Sequence, residues 1–120
     1  MKNKLKKSLL LIFIFFIILI VNSSKVEATT VNNIVFNSKF YAEQNIDLMN
    51  AFGYNEQALL NHFTKYGMAE GRQASMLFDV NFYKGMYFDL QQAYGGNNQA
   101  YYNHFMNWGI SEGRTRFYNI

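Results

Sequence analysis

The chain has 120 residues, half of them apolar and 18% aromatic, with 11 basic and 8 acidic side chains, two histidines, no cysteine and no proline. The missing cysteine excludes a disulfide framework and a lipid-modified N-terminal cysteine, and the missing proline excludes a proline-containing sortase signal. The formal charge of +3 is concentrated at the start: without residues 1–28, six basic side chains face seven acidic ones, which leaves no electrostatic footprint for nucleic acid and no basic face for anionic lipid.

Residues 1–28 read as a secretory signal peptide. Met1-Lys-Asn-Lys-Leu-Lys-Lys is a basic start, Leu9 to Val21 is an unbroken run of thirteen apolar residues, and Val26-Glu-Ala28 offers small residues for cleavage. A membrane anchor would need about 20 apolar residues, so the expectation is a secreted chain, extracellular or associated with the cell wall, that meets no membrane once the signal is removed. Residues 29–35 form a short lead-in.

The remaining sequence repeats itself. Shifted by 42 positions, residues 36–77 align on the following stretch without a gap, with 17 identities. Phe36-Asn-Ser-Lys-Phe-Tyr falls on Phe78-Asp-Val-Asn-Phe-Tyr, and Asn61-His-Phe falls on Asn103-His-Phe. A repeat of about 40 residues is ordinarily one supersecondary unit that buries its apolar face against a neighbouring copy. The periodicity within each copy is helical, so the expected fold is all-α: two tandem helical repeats, 36–77 and 78–120, each of two to three short helices.

In the first helix of each copy, Tyr41, Gln44, Asn45, Leu48, Ala51 and Phe52 recur at three- and four-residue steps, as do Tyr83, Met86, Tyr87, Leu90, Ala93 and Tyr94. Asn37 and Asp79 are placed as N-caps, Gly53 and Gly95 as stops, and Asp47 and Asp89 suit the first turn of a new helix after a break near Asn45 and Tyr87. The second helix starts behind Asn55 or Asn97. It carries Leu59, His62, Phe63 and Tyr66, or Tyr101, His104, Phe105 and Trp108, on one aromatic stripe. The core is expected to pack through Phe40, Leu48 and Phe63 and their partners Phe82, Leu90 and Phe105. Gly67 and Gly109 then stand where a left-handed residue closes a helix, followed by turns built from Glu70, Gly71 and Arg72 and from Glu112, Gly113 and Arg114.

These residues, above all Asn-His-Phe followed by Gly-x-x-Glu-Gly-Arg, resemble the tandem helical repeats of secreted and surface proteins of Gram-positive bacteria, clostridia especially. The resemblance covers Phe36 to about Arg116 and departs at Ile46 and Phe88, which stand where that pattern has proline. Such repeats accompany cell-wall hydrolase and other extracellular domains and share no catalytic residue, so the resemblance implies a binding or spacer role.

Candidate chemistry is sparse. His62 and His104 could meet around a metal with Glu70 and Glu112, but metal sites need three or four ligands, and histidines hydrogen-bonded within an aromatic helix interface explain them more simply. Arg72 and Arg114 could clamp an anion or pair with the glutamates two residues away. No set of residues suggests a nucleophile with its base, a phosphate loop or a cofactor site, so the chain is expected not to be an enzyme, with no catalytic, cofactor-binding or metal-binding residues.

Recognition remains. The nine Phe, nine Tyr and Trp108 that follow residue 28 exceed what one small core obviously needs, with Tyr54, Tyr101, Tyr102, Phe117 and Tyr118 hardest to place. Tyr101, Tyr102, Trp108 and Tyr118 are the candidate partner-binding residues, Tyr102 foremost because the first copy has Leu60 there. The reading is a secreted non-catalytic repeat module that binds a cell-wall glycan or a surface protein, with self-association through open repeat ends as a further partner. The alternative is a small secreted antimicrobial effector, a bacteriocin or toxin-like protein.

Overall fold

In the computed structural model, residues 31–114 and 116 are described. The stretch expected to be a signal peptide, the first lead-in residues, Phe117 and Tyr118 lie outside them. The described chain is all-α in its regular elements: α1 Ser38–Gln44, α2 Ile46–Phe52, α3 Glu56–His62, a π-helical turn Phe63–Gly67, a last α-turn α4 Met68–Glu70, then α5 Val80–Met86, α6 Phe88–Tyr94, α7 Asn98–His104 and a second π-helical turn Phe105–Gly109. An isolated antiparallel bridge joins Ser75 and Phe78. No helix among the described residues is long and apolar enough to cross a membrane.

Capping side chains set the starts. The Oδ1 atom of Asn37 accepts from the backbone N–H of Phe40 at 2.8 Å, and that of Asp79 accepts from Asn81 and Phe82. Asn55 and Asn97 likewise accept from Ala58 and Ala100. Each such bond satisfies an amide that the first helical turn leaves without a partner, worth about 1 kcal/mol. The long first helix of each copy does break, at Asn45 and Tyr87, both of which are extended (φ −130° and −120°). At the first break the Asn45 side-chain amide donates to the Tyr41 carbonyl at 2.8 Å, replacing a bond the helix can no longer make. Gly53 and Gly95 stop α2 and α6 at φ 57° and 53° with ψ −130° and −120°, a conformation reserved for glycine.

Gly67 and Gly109 overturn their expected role. Gly67 is right-handed helical (φ −61°), and neither residue has positive φ. What they provide is space. A Cβ on Gly67 would lie 2.1 Å from the hydroxyl of buried Tyr41, and one on Gly109 would lie 2.4 Å from that of buried Tyr83. The left-handed closing residues are Gly71 (φ 72°) and Gly113 (φ 67°). Around them Gly71 N–H donates to Met68 C=O and Arg72 N–H to Gly67 C=O, with the same pair of bonds at Gly113 and Arg114, which is the Schellman motif. The Gly-x-x-Glu-Gly-Arg signature is thus a buried clearance followed by a helix stop.

The core is aromatic. Tyr41, Leu59 and Phe63 are fully buried, with Phe36 stacked on Phe63 at 5.2 Å; Tyr83, Tyr101 and Phe105 repeat this, with Phe78 stacked on Phe105 at 4.3 Å. Leu48 and Leu90 occupy like environments, 3% and 4% exposed. Phe40 and Phe82 are only half-buried, so they contribute less to the core than their spacing predicts. The two copies meet at Tyr102. Its ring packs edge-on against Phe63 at 5.3 Å and tilted against Phe78 at 5.2 Å, its hydroxyl donates to the Arg72 carbonyl, and nearby Asn98 donates to the Ala69 carbonyl at 3.3 Å.

Candidate functional site

That junction removes two of the four expected partner-binding rings from the surface. Tyr101 and Tyr102 are both fully buried. Adjacent helical residues point to different sides, and here both sides are covered. Tyr101 turns into its own copy, its ring edge-on to Tyr94 at 5.5 Å and its hydroxyl donating to the Gly95 carbonyl at 2.5 Å, while Tyr102 turns into the other copy. Tyr54 stays 60% exposed and donates to Glu43. Trp108 is 61% exposed, and Tyr118 lies outside the described residues.

The seven-residue spacing sets Trp108 on one stripe with Tyr101, yet Tyr101 is buried and Trp108 is exposed, as a partner-binding ring must be. The π-helical turn moves it. Met68 N–H bonds back to Phe63 C=O, and Ile110 N–H to Phe105 C=O, so each of these turns uses one residue more than an α-turn. Positions in the wider turn lag behind the stripe, and Tyr66 and Trp108 swing out of line with the core. They come instead beside His62 and His104, the His62 and Tyr66 rings lying 5.6 Å apart. Single π turns inside α-helices are frequent at functional sites.

The result is a shallow hollow that occurs twice. The first, of about 260 Å³, is lined by Phe52, Ala58, Asn61, His62, Lys65 and Tyr66. The second, of about 270 Å³, is lined by Tyr94, Ala100, Asn103, His104, Asn107 and Trp108. Every lining residue of one is the 42-residue counterpart of a lining residue of the other. Phe52 or Tyr94 comes from the end of the first helix pair, and the rest come from the second helix and its π turn. Phe52 and Tyr66 remain 38% and 49% exposed, leaving ring faces open to solvent.

Each histidine is fixed from behind. Tyr41 Oη and His62 Nδ1 are 2.9 Å apart, and Tyr83 Oη and His104 Nδ1 are 2.9 Å apart. Burial pushes both phenols well above their ordinary pKa, so they stay protonated. Burial, and then the Arg114 charge, lowers His104 below its ordinary value. Assigned from this bond, neutral His104 accepts at Nδ1 and carries its proton on Nε2.

The arginines serve the scaffold. Arg72 grips both oxygens of Asp47 at 3.0 and 2.9 Å, reaches Glu70 at 2.6 Å and donates to Asn45 at 2.9 Å. Arg114 grips Asp89 and Glu112 in the same way and lies 4.6 Å above the Tyr87 ring centroid. The Glu70 and Glu112 pairs follow the sequence reading. The aspartates, which it did not connect, are held below their ordinary pKa chiefly by these arginine hydrogen bonds. With their guanidinium donors so engaged, the arginines tie each turn to the start of α2 or α6 instead of clamping a free anion. Among the described residues no three potential metal ligands gather.

Sequence reasoning missed Phe52, Tyr66 and Tyr94 as site residues, and took Asn61 and Asn103 only as repeat markers. The signal that could have found them is the exact recurrence of Asn-His beside an aromatic four residues on. Comparison of the chain with protein-family models, with curated proteins and with solved structures gives no match.

Proposed function

We propose that this chain is a secreted, non-catalytic module of two tandem 42-residue helical repeats that binds a repeating extracellular polymer, a cell-wall glycan, through the two hollows. One observation carries the reading: the same aromatic, amide and histidine lining recurs at the same positions of both copies, around hollows that open to solvent. Planar rings open to water stack on the apolar faces of sugars, and neighbouring amides and an imidazole N–H supply hydrogen bonds to hydroxyl and acetamido groups. Two hollows of like framework on one chain suit a ligand that presents sugar units in succession, and binding at both raises avidity without any new contact. Secretion is supported by the sequence of residues 1–28, and the wall as a destination by the resemblance of the repeats.

The test is retention of the purified protein, residues 29–120, on isolated cell walls. The double variant Tyr66→Ala, Trp108→Ala is expected to lose at least about tenfold in retention, since stacking of one ring contributes about 1 kcal/mol or more. Its far-UV circular dichroism should stay unchanged, because both rings stand at the surface. Equal retention of the folded variant and the unaltered protein would overturn the reading.

A further inference from the structure

The two hollows are alike in framework and unlike in charge. Ala58, Asn61 and His62 recur unchanged as Ala100, Asn103 and His104, whereas Lys65 is replaced by Asn107 and Tyr66 by Trp108. We infer that they are different subsites of one anionic glycan, the Lys65 hollow taking a unit that bears a carboxylate or phosphate and the Trp108 hollow taking a neutral sugar. This rests on the reading of the hollows as glycan sites and assigns each its ligand chemistry.

In the first hollow the Lys65 ammonium lies 5.4 Å from the Tyr66 ring centroid. The ammonium therefore stands over one face of the ring on which a sugar would stack, within reach of an anionic substituent of a sugar seated there. No carboxylate lines this hollow, and among the described residues no acidic group lies within ion-pair distance of Lys65, unlike Lys39, Arg72 and Arg114. An anion from the ligand would give it that partner. The second hollow has no lysine, arginine or carboxylate in its lining. It presents the larger indole face with the Asn103 and Asn107 amides at its edge, donors and acceptors that suit hydroxyl or acetamido groups and offer an anion no counter-charge.

Trp108 is the sole tryptophan of the chain, so its fluorescence reports the second hollow selectively. The probes are a neutral chito-oligosaccharide, an oligogalacturonide bearing carboxylates and a poly(glycerol phosphate), each titrated by calorimetry and by tryptophan fluorescence into residues 29–120. The neutral probe is expected to shift the fluorescence, and its affinity to change less than that of the anionic probe in Lys65→Asn. At least one anionic probe is expected to bind about two- to fivefold more weakly to Lys65→Asn, and to lose that difference at high salt, as an exposed charge contact does. Which anionic probe responds identifies carboxylate or phosphate as the recognised group. Asn107→Lys is expected to bring the anionic probe to the second hollow, seen as a new fluorescence response. If Lys65→Asn leaves the affinity of both anionic probes unchanged while Trp108→Ala abolishes neutral binding, the charge assignment fails and the glycan reading stands. If Tyr66→Ala and Trp108→Ala change nothing, both fail.

Discussion

The two copies share a backbone plan yet present different leading faces. At the position where the second copy places Tyr102, between Phe63 and Phe78, the first places Leu60; where the second places Asn98, the first places Glu56. Their trailing ends differ too, since Met68 is 3% exposed beneath α7 and its counterpart Ile110 is 36% exposed. One interface of the repeat plan is occupied inside the chain. On its leading face the first copy has neither of the polar anchors that the internal junction uses, since Leu60 and Glu56 stand where Tyr102 and Asn98 do.

The largest test of this contrast is truncation at the paired positions. Tyr102→Ala removes a fully buried ring from the junction and should cost about 3–5 kcal/mol, whereas Leu60→Ala, at a half-buried position, should cost distinctly less. Urea unfolding of both variants measures the difference. Equal losses would mean that the two leading faces are energetically alike.

The clearance glycines come next. Gly67→Ala and Gly109→Ala should each destabilise by about 1–3 kcal/mol through overpacking, and removing the obstructing hydroxyl with Tyr41→Phe or Tyr83→Phe should recover part of that loss. The double-mutant cycle separates the clash from backbone conformation, because a requirement for left-handed backbone would show no coupling to the phenol. If the cycle is additive, the steric account of these glycines is wrong.

The smallest expected effect is the pH response of His104. Its folded pKa is depressed by burial, so below the ordinary value near 6.5 the unfolded chain binds more protons than the folded one, and stability falls as pH drops. The contribution is complete above that value and is lost as pH falls through the folded pKa. His104→Gln should flatten the dependence of the urea midpoint on pH between about 7 and 5. An unchanged slope would place the titration elsewhere.

The parts of the fold that follow local rules could be read from the sequence. Four Asn or Asp caps, the breaks at Asn45 and Tyr87 and the stops at Gly53 and Gly95 each depend on a few neighbouring residues, and the periodicity sets the rest. The histidines, too, were recognisable as members of an aromatic helix interface. What escaped depends on contacts between distant residues. The seven-residue spacing that set Trp108 on one stripe with Tyr101 assumes an α-helix throughout, and the π turn beneath Tyr83 breaks that register. Tyr101 and Tyr102 are hard to place in one core because nothing local reveals that the first copy covers the Tyr102 side of their helix. Likewise the reach from Arg72 to Asp47 spans 25 residues and left only the nearby Glu70 visible as a partner.

The junction at Tyr102 also bears on how such a chain diversifies. Both of its polar anchors, the Tyr102 hydroxyl and the Asn98 amide, are received by main-chain carbonyls, those of Arg72 and Ala69. A carbonyl is the same whatever side chain its residue carries, so the receiving surface can drift in sequence while it keeps its helix stop. The exception is Gly71, where a Cβ would lie 2.7 Å from the Asn98 amide nitrogen. The polar part of the junction therefore rests on one glycine behind and two side chains in front, beside the ring contact of Tyr102 with Phe63, and none of these lines either hollow.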